Sequence, residues 1–160
     1  MSFIIRKGEI KDMAAVLELI QELATFEKEP NAVEIDMYDL IKCGFKAKPS
    51  FTIFVAEMDE DIVGMVLFYD RFSTWKGKSI HLEDLIVRES KRGLGIGKAL
   101  YSKFLKYAYK EKAKRVEWVV LNWNKPAINF YIKSGATVYP DWRTVQMDEQ
   151  KLAAYVKNNL

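Results

Sequence analysis

The spacing of apolar and polar positions divides the chain into alternating strand-like and helix-like segments. FIIRK, from Phe3 to Lys7, has the apolar and β-branched character of a short strand. From Lys11 to Glu27, Met13, Val16, Leu17, Ile20 and Leu23 recur at helical spacing, with Asp12 placed as the N-cap. A polar stretch through Pro30 and Asn31 leads to a second, shorter helix from about Asp36 to Gly44. FTIFVAEM, Phe51 to Met58, and IVGMVLFYD, after the acidic turn Asp59 to Asp61, read as the two arms of a hairpin. A loop is expected over RFSTWKGKS, then a central strand from Ile80 to Val87. Beyond SKRGLGIGKAL, a helix is marked by Ala99, Leu100, Phe104, Leu105, Ala108 and Tyr109 and runs to about Lys112.

Val116 to Leu121 follows as another strand, and a short helix starts near Pro126 and stops at Gly135. Trp142 to Met147 alternates as a last strand, and Asp148 is placed to cap a C-terminal helix. The resulting order is β-α-α-β-β-β-α-β-α-β with a final helix. Consecutive strands imply an antiparallel meander, and the strand–helix–strand crossover between residues 80 and 121 implies one parallel pair. The expected fold class is therefore mixed α+β, a mostly antiparallel sheet with helices on both faces.

Composition narrows the function without naming it. A chain of 160 residues, 49% hydrophobic and 29% charged, fits one soluble domain over residues 1–160. No apolar run approaches the roughly 18 residues of a membrane span. MSFIIRKGEIKD turns polar too early for a signal peptide, and a cytoplasmic location is expected. Cys43 is the one cysteine, which removes an internal disulfide and a multi-cysteine metal site, and no metal is expected.

Charge is uneven. Ten lysines and arginines fall between Arg88 and Arg115 against two acids, so the remainder carries a net −5. A solvated helix face and an anion-facing surface both account for such a segment.

The chemistry concentrates at Ser90 to Leu100. Gly93, Gly95 and Gly97 alternate at the mouth of a helix, where glycine has an entropic cost. The dinucleotide fingerprint G-x-G-x-x-G fails because position 98 is Lys, and no acid suited to a ribose follows at the expected distance. The phosphate loop G-x-x-x-x-G-K-[ST] fails as well, since Gly97-Lys98 precedes Ala99. Two readings of the turn remain: an anion cradle of bare backbone amides reinforced by the helix dipole, or a structural turn. Glu83 and Asp84 are an unusual pair within an apolar strand. Strand alternation puts them on opposite faces, so that one is buried or lines a cleft, unless the strand lies at a sheet edge. His81, the one histidine, lacks a serine nucleophile elbow and reads as a packing or surface residue. The four tryptophans read mostly as core or cleft wall, with Trp75, in a loop, the ligand candidate among them.

Two motifs together make a resemblance. Arg92, Gly95 and Gly97 fit R/Q-x-x-G-x-G/A, and Asn124 through Ala136 fits N-x-x-A-x-x-F-Y-x-x-x-G-A, in the order found in GNAT N-acetyltransferases. LIQELATFEK, STWKGK, HLEDLIV and INFYIKSGA extend it over nearly the whole chain toward the diamine acetyltransferases, which act on spermidine and spermine or on thialysine.

The resemblance implies an acyl-CoA N-acyltransferase fold whose parallel strands splay to admit acetyl-CoA as co-substrate. It assigns Leu85, Ile86 and Val87 to the pantetheine arm, Arg92, Gly93, Leu94, Gly95, Ile96, Gly97 and Lys98 to the pyrophosphate, and Asn124, Lys125, Pro126, Ala127 and Tyr131 to further cofactor contacts. It implies Tyr131 as general acid toward the departing sulfur and Glu83 as acceptor of the ammonium proton. The amine site would comprise Phe26, Glu27, Trp75, Glu83 and Asp84, an acidic and aromatic pocket suited to a cation. Ser73 stands where polyamine-specific members carry aspartate, and VYPDW shortens an acid-rich loop, so a lysine-like amine gains weight over long polyamines.

The expected activity is acetyl transfer to a primary amine of a small cationic acceptor. The alternatives are a protein or peptide amine, or a non-catalytic acyl-CoA-binding module. A nucleic-acid partner is weighed on the basic helix and set aside, since a basic rim around coenzyme phosphate explains the charge equally. A homodimer joined through C-terminal strands is also implied, with no nucleic acid or membrane partner.

Overall fold

The computed structural model describes residues 2–159. They form two compact units that meet in sequence between Val119 and Val120.

The first unit is built on one five-stranded sheet, in order β1 (Ile4–Lys7), β2 (Thr52–Met58), β3 (Asp61–Ser73), β4 (Gly77–Val87) and β5 (Arg115–Glu117). The first three pairings are antiparallel and β4–β5 is parallel, as the order of elements predicts. The β2–β3 turn is tight because Asp59 and Glu60 both take positive φ, 51° and 67°, the twist a two-residue hairpin requires. Residues 62–68 of β3 are buried without alternation, so this strand has cover on both sides. On one face, Met13, Val16 and Leu19 of helix α1 (Met13–Phe26) and Leu40 of α2 (Met37–Gly44) pack with Ile53, Val55, Met65, Leu67 and Ile86. On the other, Phe68 lies 5.0 Å from Phe104 and 4.9 Å from Tyr107, both on α3 (Ile96–Lys110).

The helix starts differ from expectation at one point. Asp36 caps α2 by accepting from Asp39 N at 2.9 Å. Asp12 precedes α1 but makes no side-chain bond to its amides. Its buried carboxylate instead takes both terminal nitrogens of Arg6, at 2.7 and 2.8 Å, and the Glu9 amide. A guanidinium fork competes better for a buried carboxylate than one helix amide does.

Three strand expectations are corrected. The loop expected over residues 71–79 shrinks to a turn, because β3 and β4 stay paired out to Ser73↔Gly77. Ser73 Oγ accepts from the amides of Trp75 and Lys76, both at 3.2 Å, which closes that turn. The strand expected from Val116 to Leu121 forms only over Arg115–Glu117.

The second unit contains α4 (Lys125–Lys133) and α5 (Glu149–Asn159). Trp142 to Met147 is not a strand; it has no ladder partner among the described residues, and Val145 is 92% exposed. An alternating sequence pattern provides faces, whereas a strand also needs a neighbouring edge. Asn124 Oδ1 caps α4 through Ala127 N at 3.3 Å, and Gly135, at φ 95°, follows its end. Asp148 caps α5 through Lys151 N at 2.8 Å. The tryptophans are less buried than expected: Trp75, Trp123 and Trp142 are exposed.

Candidate active site

Parallel pairing between β4 and β5 begins at Ser79↔Arg115 and ends at His81↔Glu117. From Leu82 to Val87, β4 keeps its antiparallel partner β3, but no strand among the described residues pairs with its other edge. The expected parting of the parallel strands thus begins beside His81. An open sheet edge offers unpaired backbone donors and acceptors to an extended ligand.

That edge runs into the glycine turn. Leu85, Ile86 and Val87 line an open cavity of about 240 Å³ together with Lys91, Arg92, Gly93, Gly95, Ile96 and Gly97. Gly93 and Gly95 both have φ 81°, in the left-handed region, and a Cβ added to either would meet nothing within 4 Å. Gly97 lies inside α3 with ordinary helical backbone, and a Cβ there would touch Val87 Cγ2 at 3.7 Å. The first amide bonded within α3 is Ala99, to Gly95 O at 3.0 Å, which leaves the amides before it at the helix's positive end. Leu94 is exposed in the turn, and Lys98 stands on the first turn of α3. Arg92 is exposed beside the turn, where its Nε donates to Val87 O at 3.2 Å and its guanidinium lies 5.3 Å from the Phe26 ring centroid. Phe26 ends α1, so this cation–π contact ties the amine-site candidate to the glycine turn.

The carboxylates depart from the alternation argument. Counting back from Ser73↔Gly77 pairs Tyr69 with His81, and would pair Leu67 with Glu83. A β-bulge intervenes, so that Leu67 faces Asp84 and Phe68 faces Leu82, leaving Glu83 as the extra residue. Asp84 therefore shares the face of Leu67, while Glu83 Oε2 lies 3.7 Å from Nε2 of His81, the cross-strand partner of Tyr69, two residues along that same face. The two acids lie together rather than on opposite sides. Burial, reinforced by the negative charges of Glu83 and Glu27, pushes the Asp84 carboxyl up to about 7. Glu27, directly after α1, is also raised by burial. Glu83 itself is 50% exposed, accessible to an incoming group.

Trp75 stands apart from this cluster. It is 78% exposed at the β3–β4 tip, and a strand's rise places Glu83 about 20 Å along β4 from Gly77. Asn124, Lys125, Pro126, Ala127 and Tyr131 all lie in the second unit, where Asn124 begins α4 and Tyr131 packs edge-on to Phe130 at 5.5 Å. Sequence reading passed over Tyr69, whose hairpin register with His81 was the available signal once the Ser73 turn is placed.

Known proteins resemble this chain in sequence and in fold. The acetyltransferase (GNAT) family model matches residues 14–136. Thialysine N-epsilon-acetyltransferase from Bos taurus is 36% identical over 145 residues, covering 85% of each chain. Spermidine/spermine N(1)-acetyltransferase-like protein 1 from Homo sapiens is 33% identical over 141 residues, covering 84% of this chain but only 20% of that longer protein. A solved integron cassette protein from V. cholerae superposes with a TM-score of 0.78 at 21% identity, over 98% of this chain and 99% of the other, a likeness of fold. The chain belongs to the acetyltransferase (GNAT) family.

Proposed function

We propose that the chain is one acetyltransferase domain that moves the acetyl group of acetyl-CoA to a primary amine of a small cationic acceptor. A lysine-like or thialysine amine is favoured over a long polyamine. The observation that carries this reading is the gathering of Glu27, Glu83 and Asp84 on one side of the strand whose next residues, Leu85 to Val87, line the glycine-turn cavity. Acid clusters attract an ammonium group, and a cavity closed by left-handed glycines and a helix N-terminus suits a pyrophosphate. The open edge of β4 fits a pantetheine arm as an added strand. The matched relatives named for thialysine and for spermidine and spermine support an amine acceptor.

The coenzyme supplies an activated acetyl thioester. Glu83 takes the proton that the acceptor ammonium loses, through ordered water, and the freed nitrogen lone pair forms the new C–N bond as the C–S bond breaks. Tyr131 gives its phenolic proton to the departing sulfur and is restored by the second proton, which the newly acylated nitrogen sheds; its role rests on the family motif. Phe26 and the raised carboxyl of Asp84 shape the acceptor pocket beside Glu83. A cytoplasmic homodimer without nucleic-acid or membrane partners completes the reading.

The test is an acetyl-CoA thiol-release assay against putrescine, spermidine, spermine, lysine, thialysine and a peptide amine. Small amines are expected to react, and Tyr131→Phe should lower kcat and kcat/KM together by about 100-fold while coenzyme still binds. Reaction with the peptide alone would establish the protein-amine alternative. Coenzyme binding without thiol release would establish the non-catalytic one.

A further inference from the structure

His81 takes no part in the reaction as written above, yet the fold surrounds it with constraints. Its side chain is 15% exposed, and its ring stacks on Tyr69 with centroids 5.2 Å apart and planes 30° apart. Its Nδ1 is buried and has no hydrogen-bond partner among the described residues. Its Nε2 faces Glu83 Oε2 at 3.7 Å. Burial and the negative charge of the same carboxylate push the Tyr69 phenol up, so one imidazole and one phenol stand around the bulged residue. The neighbouring charges are already engaged, since Glu117 on β5 takes both Arg71 of β3 and Arg115.

A neutral imidazole carries one N–H, and a buried N–H without a partner is costlier than a buried lone pair. The proton therefore belongs on Nε2, the nitrogen aimed at Glu83. The 3.7 Å gap exceeds a hydrogen bond by less than 1 Å. Contacts of this kind tighten when an acceptor is bound. Glu83 needs such support because it is the extra residue of a bulge, on a stretch of β4 whose second edge pairs with no strand among the described residues.

We infer that His81, protonated on Nε2 and fixed by its stack on Tyr69, is a positioning residue that orients the Glu83 carboxylate to take the acceptor's proton. This rests on the acetyltransferase reading above.

Two substitutions separate donor from packing. His81→Phe keeps a ring against Tyr69 but removes the N–H, whereas His81→Gln removes the ring and keeps a donor. With the best amine of the panel, His81→Phe should lower kcat about tenfold and leave the KM for acetyl-CoA unchanged, and His81→Gln should recover kcat to within about threefold. Because the chain has one histidine, nitrogen NMR of the wild-type protein reads its tautomer directly and should show the proton on Nε2. A His81→Phe enzyme as fast as wild type, a glutamine variant no better than the phenylalanine one, or a proton on Nδ1 would each overturn the inference. The NMR readout decides even where His81→Phe does not fold. Wild-type protein that acetylates none of the amines sinks the acetyltransferase reading itself, and the inference with it.

Discussion

Gly95 ends the turn before α3 at φ 81° and ψ 0°, a conformation that L side chains adopt only with strain. A Cβ there would touch no protein atom, so the protein itself has no packing reason to exclude one. Gly95→Ala should therefore cost only about 1 kcal/mol of backbone strain, a loss of roughly 2–4 °C in Tm. Its effect on acetyl-CoA affinity, measured by calorimetric titration, should be larger, at least about tenfold, because the methyl group enters the space assigned to the pyrophosphate. Equal affinity in the variant would reduce the turn to a structural one. Arg92 shows how a residue's type is legible in the sequence while its contacts are not. Its charge was visible in the motif, but its contacts with Val87 O and the Phe26 ring arise from the approach of α1 to the turn.

At the scale of elements, the β3–β4 hairpin carries Ser73 at its tip and Glu83 and Asp84 further along β4. Ser73 Oγ holds the amides of Trp75 and Lys76 at the tip, and the strands remain in register to Tyr69↔His81 before the bulge at Glu83. An aspartate can accept the same two amides, as in an Asx turn, while adding a negative charge. Ser73→Asp should keep the fold, with Tm within a few degrees, and raise kcat/KM for spermine relative to lysine by about threefold to tenfold. An unchanged ratio in competition assays would detach this tip from acceptor choice. Alternation along HLEDLIV was legible, but it gave the wrong faces for Glu83 and Asp84. A bulge inserts one residue without a composition signal, and only the ladder with β3 reveals it.

Across the whole molecule, the grouping of Asp84, Glu83 and Glu27 has a thermodynamic consequence. The folded-state value of about 7 for Asp84 lies above the ordinary carboxylate value of about 3.9, so the folded state binds more protons between these limits. Stability must therefore fall as pH rises through this window, and the penalty is complete above pH 7. Asp84→Asn should relieve about half of it, because the buried amide is itself desolvated, stabilising the protein by about 2 kcal/mol, or about 4–8 °C in Tm, at pH 8, and by little near pH 4. Melting curves across that range test the sign. A gain that shrinks as pH rises would contradict the assignment. Such a penalty, retained beside the cavity, is consistent with a site that trades stability for binding a cation.

The sequence by itself determined the order of elements through β5, the helix that follows the glycine turn, and the two motifs that point to an acetyltransferase. These depend on local period, turn residues and fixed spacing, which neighbours along the chain carry. Tertiary structure decided which residues meet: Asp12 with Arg6 in place of α1's amides, Arg92 with Phe26, and Glu83 with Tyr69, His81 and Asp84. It also decided that Trp142 to Met147, alternating as a strand should, finds no ladder among the described residues. Pairing, burial and charge coupling depend on partners distant in sequence, and a one-residue bulge is enough to turn a carboxylate from one face of a sheet to the other.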